Sequence, residues 1–166
     1  MKTSAKGLQL IKIKELYRGK MYYCPANKPT IGYGHVIGAN EAHLRTAFIT
    51  EPEATALLQR DVVQYEQAVS KALPMVLTQN QFDACVCLCY NIGTAGFAGS
   101  TLVKLIRARA EEASIRSAWV AWCKMDGTRN GKDDDKDGHI DEPGEKQVAP
   151  GLVIRRKQEA DLFFTK

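Results

Sequence analysis

Apolar positions recur at helical spacing along most of this 166-residue chain. Leu8, Ile11 and Glu15 fall at i, i+3 and i+7, which predicts a helix over about 4–17 with a carboxylate on its apolar face. A longer helix is expected from Thr50, where Thr50 and Glu53 form a capping box and Pro52 fits the first turn. Its stripe is Ala54, Leu57, Leu58, Val62, Tyr65 and Val69. Thr78 and Gln81 open a third helix. Its run from Phe82 to Tyr90 is apolar on nearly all sides, so it should be central and buried, with Gly93 as a left-handed cap. Beyond it the pattern predicts a loop over Gly96, Phe97 and Gly99, and a short helix from Ser100 to about Arg109. A helix over about 113–123 should carry Trp119 and Trp122, and a last helix should start near Gly151. Only residues 20–38 break the helical period: Tyr22, Tyr23, Ile31, Tyr33 and Val36 lie among glycines and prolines, as in short strands with tight turns.

The expected class is therefore α+β, mostly α. A small β lobe should cover about 20–48, and a larger helical lobe about 50–166 plus the N-terminal helix, all in one domain over 1–166. Asp61 falls inside the apolar stripe of the second helix, where an acid is costly unless paired. His35 is the available partner, so a His35–Asp61 pair should join the sheet to this helix; the alternative is an Asp61 exposed on the rim.

Composition adds limits. With 45% apolar and 25% charged residues the chain reads as an ordinary globular protein. A net charge of +4 is a mild bias toward anionic partners. No dense Lys/Arg run carries interleaved aromatics, so nucleic acid is not an expected partner. Five cysteines, Cys24, Cys85, Cys87, Cys89 and Cys123, form no CxxC pair and read as free thiols, mostly buried. No apolar run is long enough for a transmembrane helix, and lysines break up the N-terminus where a signal peptide would be apolar. Synthesis in the cytoplasm, with no evident export signal, and a monomeric state are the expectation.

Residues 126–146 change character and read as an Asp-rich insertion. Asp133, Asp135, Asp137 and Gly138, followed by Ile140 and Asp141, match the first nine positions of a calcium loop. Side chains of Asp133, Asp135, Asp137 and Asp141, the His139 carbonyl and Glu145 would supply oxygens. The twelfth position is Gly144, so the bidentate ligand would be Glu145, Glu142 or absent. A bound Ca2+ would be structural; the other reading is a solvated acidic loop.

The chemistry concentrates in residues 15–35. An acid, a thiol, a hydroxyl and an imidazole, Glu15, Cys24, Thr30 and His35, follow one another where a helix meets the predicted strands. The Glu15-x8-Cys24-x5-Thr30 spacing and the Thr30-Ile-Gly-Tyr-Gly-His35 run resemble the phage-type lysozymes of glycoside hydrolase family 24. So do Gln59-Arg-Asp61, Leu77 to Ala84, Asn91-Ile-Gly93 with Phe97, Ser100-Thr-Leu102 and Pro150 to Glu159. The resemblance covers nearly the whole chain outside about 126–146. Two departures stand beside Glu15: Leu16 where the family usually has Gly, and Lys14 where an aromatic is common.

The resemblance implies a lysozyme-like fold with a cleft between the lobes. It also implies an endolysin that hydrolyses the β-1,4 bond between N-acetylmuramic acid and N-acetylglucosamine in peptidoglycan. Such an enzyme needs no catalytic cofactor and reaches the wall after another factor opens the inner membrane. Glu15 would be the general acid. Thr30 can orient a water. Cys24 occupies the slot a second carboxylate usually fills, and a neutral thiol is a poor base. His35 and Phe97 are the candidate substrate-binding residues, with core packing the other reading for Phe97. A catalytically weak peptidoglycan-binding module, a calcium-regulated interaction protein and a lytic transglycosylase are the alternatives.

Overall fold

The computed structural model describes residues 1–24, 26–126 and 146–165. Helix α1 spans Ala5–Glu15. It is followed by strands β1 (Arg18–Tyr23), β2 (Pro29–Gly32) and β3 (His35–Val36), which pair antiparallel in that order. A 3-10 segment over Ala39–Arg45 leads to α2 (Glu51–Ala72). Then come α3 (Gln79–Ile92), α4 (Thr94–Gly99), α5 (Thr101–Arg107), α6 (Glu112–Val120) and, after a short hairpin, α7 (Pro150–Phe164). The fold is thus mostly helical with a small antiparallel sheet, as the periodicity indicated.

The capping signals act as expected. Thr50 accepts from the Glu53 N–H while Glu53 reaches back to the Thr50 N–H, and Thr78 with Gln81 repeats the arrangement at α3. Each reciprocal pair satisfies two otherwise unbonded donors. Helix α3 is central: Phe82 to Leu88 and Cys89 are all buried, against α1, α2 and α7. Gly93 ends it with φ +81°, a conformation that favours glycine.

Two expectations change. Residues 94–99 form helix α4 rather than a loop, because Phe97 is drawn fully into the core and its neighbours close one helical turn around it. A second hairpin, β4 (Lys124–Asp126) with β5 (Lys146–Val148), has no counterpart in the sequence reading. Three-residue strands offer too few positions for an alternation to show.

Helix α1 is held by buried acids of the helical lobe. The Ser4 N–H donates to Asp83 of α3 at 2.9 Å, the Ser4 hydroxyl also donates to Asp83, and the Thr3 N–H donates to Glu66 of α2 at 2.6 Å. These contacts set the start of the helix whose last residue is Glu15.

Candidate active site

Glu15 ends α1 at the junction of the sheet and the helical lobe. Its carboxylate accepts from Arg155 Nη2 of α7 at 2.8 Å, and its side chain keeps 21% exposure. The chain then turns sharply: Leu16 has φ +58° and ψ +142°, a region nearly restricted to glycine, and is 66% exposed. Across the site, Gly34 of the β2–β3 turn has φ +90°. A β-carbon there would sit 3.8 Å from Glu15 Oε2 and 3.7 Å from the Tyr90 hydroxyl. Those distances are ordinary contacts, so it is the positive φ of the turn that calls for glycine here. Tyr90 of α3 pins this turn by donating to the Tyr33 carbonyl at 2.8 Å.

Arg155 belongs to a buried network. Its Nε donates to Glu159 at 3.0 Å; Glu159 also accepts from Arg156, from Trp119 Nε1 at 3.0 Å and from the Cys87 thiol at 3.3 Å. Arg156 donates in addition to Asn91 and to the Trp122 carbonyl. Burial pushes the Cys87 thiol up, and burial lowers Arg156, which only partly recovers through Glu159. The guanidinium that holds Glu15 is therefore itself fixed by a buried carboxylate. The sequence reading missed this role. The i, i+4 spacing of Arg155 and Glu159 is visible on a helix, but its meeting with Glu15, 140 positions away, is not.

Cys24 follows β1 and is half-buried, with its thiol free. The Lys28 N–H pulls the thiol below its ordinary value; the Ala26 N–H, the Thr30 hydroxyl and the Lys28 ammonium add to this against partial desolvation. Thr30, on β2, is buried; its one hydroxyl proton is shared between the Lys28 carbonyl, at 2.9 Å, and the Cys24 sulfur, and its lone pairs remain. Tyr22, opposite Thr30 in the β1–β2 ladder, connects the groups. Burial raises its phenol, the Arg18 charge lowers it, and both Glu15 and Cys24 raise it further.

The other two sequence candidates lie off this centre. His35 is buried and bonded on both ring nitrogens, Nδ1 to Asp61 at 2.7 Å and Nε2 to Glu41 at 2.9 Å. The expected pair with Asp61 is present, and with both nitrogens engaged His35 ties β3 to α2 rather than facing a ligand. Phe97 has no exposed surface and packs in the core, so its ring does not line an open cleft. The six candidate calcium ligands, Asp133, Asp135, Asp137, His139, Asp141 and Glu145, lie outside the described residues. Among the described residues no group of three or more His, Cys, Asp or Glu could hold a metal ion.

A helix-borne acid facing a small sheet, with the thiol and hydroxyl at the Glu-x8-Cys-x5-Thr spacing, has a counterpart in known proteins: the phage lysozyme family model matches residues 12–159. The chain belongs to the phage lysozyme family. The endolysin of Acyrthosiphon pisum secondary endosymbiont phage 1 is 34% identical over 163 residues, covering 98% of each chain. Among solved structures, the chain is similar to the muramidase domain of SpmX from Asticaccaulis excentricus. That match has a TM-score of 0.81 and 31% identity over 99% of both chains. The endolysin from Escherichia coli O157:H7 phage FAHEc1 superposes with a TM-score of 0.80 and 33% identity, over 99% of this chain and 94% of that one. Among the described residues no helix is long and apolar enough to cross a membrane.

Proposed function

We propose that this phage lysozyme is an endolysin that hydrolyses the β-1,4 bond between N-acetylmuramic acid and N-acetylglucosamine, with Glu15 as general acid. The reading is carried by Glu15 itself: a carboxyl at a helix end, oriented by Arg155 and approached by the glycine turn at Gly34. Glycoside cleavage needs a proton delivered to the leaving oxygen and a partner for the attacking water. Cys24 and Thr30 form that second side, the thiol being drawn toward its charged form by the Lys28 N–H and the Thr30 hydroxyl offering a lone pair to a water. Glu15→Gln should abolish muramidase turnover on purified peptidoglycan, and Cys24→Asp should preserve much of it. Full turnover in Glu15→Gln would overturn the assignment. Mass analysis of the products, hydrated or anhydro ends, separates hydrolysis from lytic transglycosylation.

A second reading follows from one observation: the position of a second carboxylate is a thiol. On that reading the chain binds peptidoglycan and cleaves it weakly. Wild-type turnover no faster than Glu15→Gln, with binding retained, is its signature.

The Asp-rich segment is proposed as a structural calcium loop. Its support is the spacing of Asp133, Asp135, Asp137 and Gly138, and the ladder pairing of Asp126 with Lys146, which closes the segment at its base. Calorimetric titration should show calcium uptake by the full chain; no heat up to millimolar calcium excludes it. The chain is read as a monomer that reaches the wall once another factor has opened the inner membrane.

A further inference from the structure

Arg18 stands three residues beyond Glu15, at the start of β1. The β1–β2 ladder is irregular there: Arg18 pairs with Gly32 and Tyr22 with Thr30, so four steps on β1 face two on β2. Across this irregularity the Arg18 guanidinium lies over the Tyr22 ring, 4.5 Å from its centroid. Arg18 is exposed, and among the described residues no carboxylate lies within ion-pair distance of it. Stacking fixes the plane of a fork that would otherwise sample many rotamers and leaves its edge donors open to solvent. The ring beneath it is the one that feels the charges of both Glu15 and Cys24.

We propose that Arg18, held by Tyr22, is a specificity-determining contact that recognises a carboxylate of the glycan strand beside the bond Glu15 cleaves. The inference rests on the muramidase reading and deepens it. A planar guanidinium binds a carboxylate through two parallel hydrogen bonds, and the restricted fork loses less freedom on doing so. Peptidoglycan offers that group on the stem peptide and, where a muramic acid carries no stem peptide, on its lactyl side chain, since the peptide is attached through the lactyl carboxyl.

The test uses the full chain on three substrates. These are intact peptidoglycan, strands stripped of stem peptides by an amidase so that only lactyl carboxylates remain, and peptidoglycan whose carboxylates have been converted to amides. Arg18→Gln should raise KM on intact peptidoglycan about tenfold, the equivalent of one charge-assisted contact, with kcat changed less than twofold. Arg18→Lys should recover part of this. Lys71→Gln, which removes the same charge at the end of α2, should stay within twofold of wild type. On amidated material, wild type and Arg18→Gln should converge. A KM effect that vanishes on stripped strands assigns the stem peptide, and one that grows there, where the amidase has freed the lactyl carboxylates, assigns the lactyl group. An equal KM effect on amidated material, or no effect on intact material, overturns the proposal. If wild type cleaves none of the three, the muramidase reading fails by itself. Cosedimentation of Glu15→Gln with intact peptidoglycan, with and without Arg18→Gln, then still reads the contact: a tenfold loss supports it and no loss ends it.

Discussion

At the scale of single residues, the His35 cluster makes stability depend on pH in a defined direction. The hydrogen bond that His35 donates to the Asp61 carboxylate raises His35 above its ordinary value of 6.5, with Glu41 adding to it against burial. Burial alone would push Glu41 up, but the Gly38 N–H, Arg60 and His35 bring it down to about 2. A raised histidine stabilises the fold fully below its unfolded pKa and loses that contribution as pH rises through the folded one. A depressed carboxylate contributes above its unfolded pKa and loses it as pH falls through the folded one. The cluster should therefore contribute most between about pH 4.5 and 6.5, fading toward pH 2 and above neutrality. Asp61→Asn should destabilise by about 1–3 kcal/mol at pH 5–6 and by less above pH 8, in urea unfolding followed by circular dichroism. A loss that does not vary with pH would remove the linkage.

Leu16 is the other residue with its own prediction. A leucine at φ +58° and ψ +142° is strained, and at 66% exposure it has little packing to offset that. Leu16→Gly adopts the same turn without the clash, although glycine loses more freedom on folding. The net gain should be about 1 kcal/mol, read as a rise in Tm of roughly 2–4 °C at this chain length. An unchanged or lower Tm would show that the turn is relaxed with leucine in place.

At the scale of elements, helix boundaries and strand ends differ in how far they can be read. Capping boxes at Thr50 and Thr78 are local devices, and both helices start where those residues stand. The residues of α4 and of the β4–β5 hairpin carry no such device, and long-range packing decides their form. The hairpin has its own consequence. Asp126 and Lys146 are ladder partners, so two residues such as Asn-Gly can bridge them. A chain with 127–145 replaced by Asn-Gly should keep the far-UV spectrum and the muramidase activity of the parent. Its unfolding should no longer respond to calcium. Loss of cooperative unfolding in that chain would mean the segment is needed for the fold itself.

At the scale of the whole molecule, the site draws on both ends of the chain. Glu15 comes from the first helix and Arg155 from the last, and the buried Glu159 network locks the second to α3 and α6. Arg155→Met leaves Glu15 without its guanidinium, while Glu159 keeps Arg156, Trp119 and Cys87. It should destabilise by about 1–3 kcal/mol and reduce kcat, because a part-buried carboxylate that loses a charge-assisted hydrogen bond is costly. Differential scanning calorimetry beside the peptidoglycan assay measures both. The net charge of +4 is modest, so raising ionic strength from about 10 to 150 mM should lower kcat/KM by less than about tenfold.

The sequence by itself determined the helices with strong stripes and capping boxes, the buried character of α3, the existence of a small sheet, the family, and the His35–Asp61 pair. Each follows from interactions between near neighbours, from motif spacing, or from the cost of an acid inside an apolar stripe. Tertiary structure alone decided that Phe97 is core, that His35 is tied on both nitrogens, and that Arg155 orients Glu15. These depend on which distant surfaces meet, and periodicity within one segment holds no record of that.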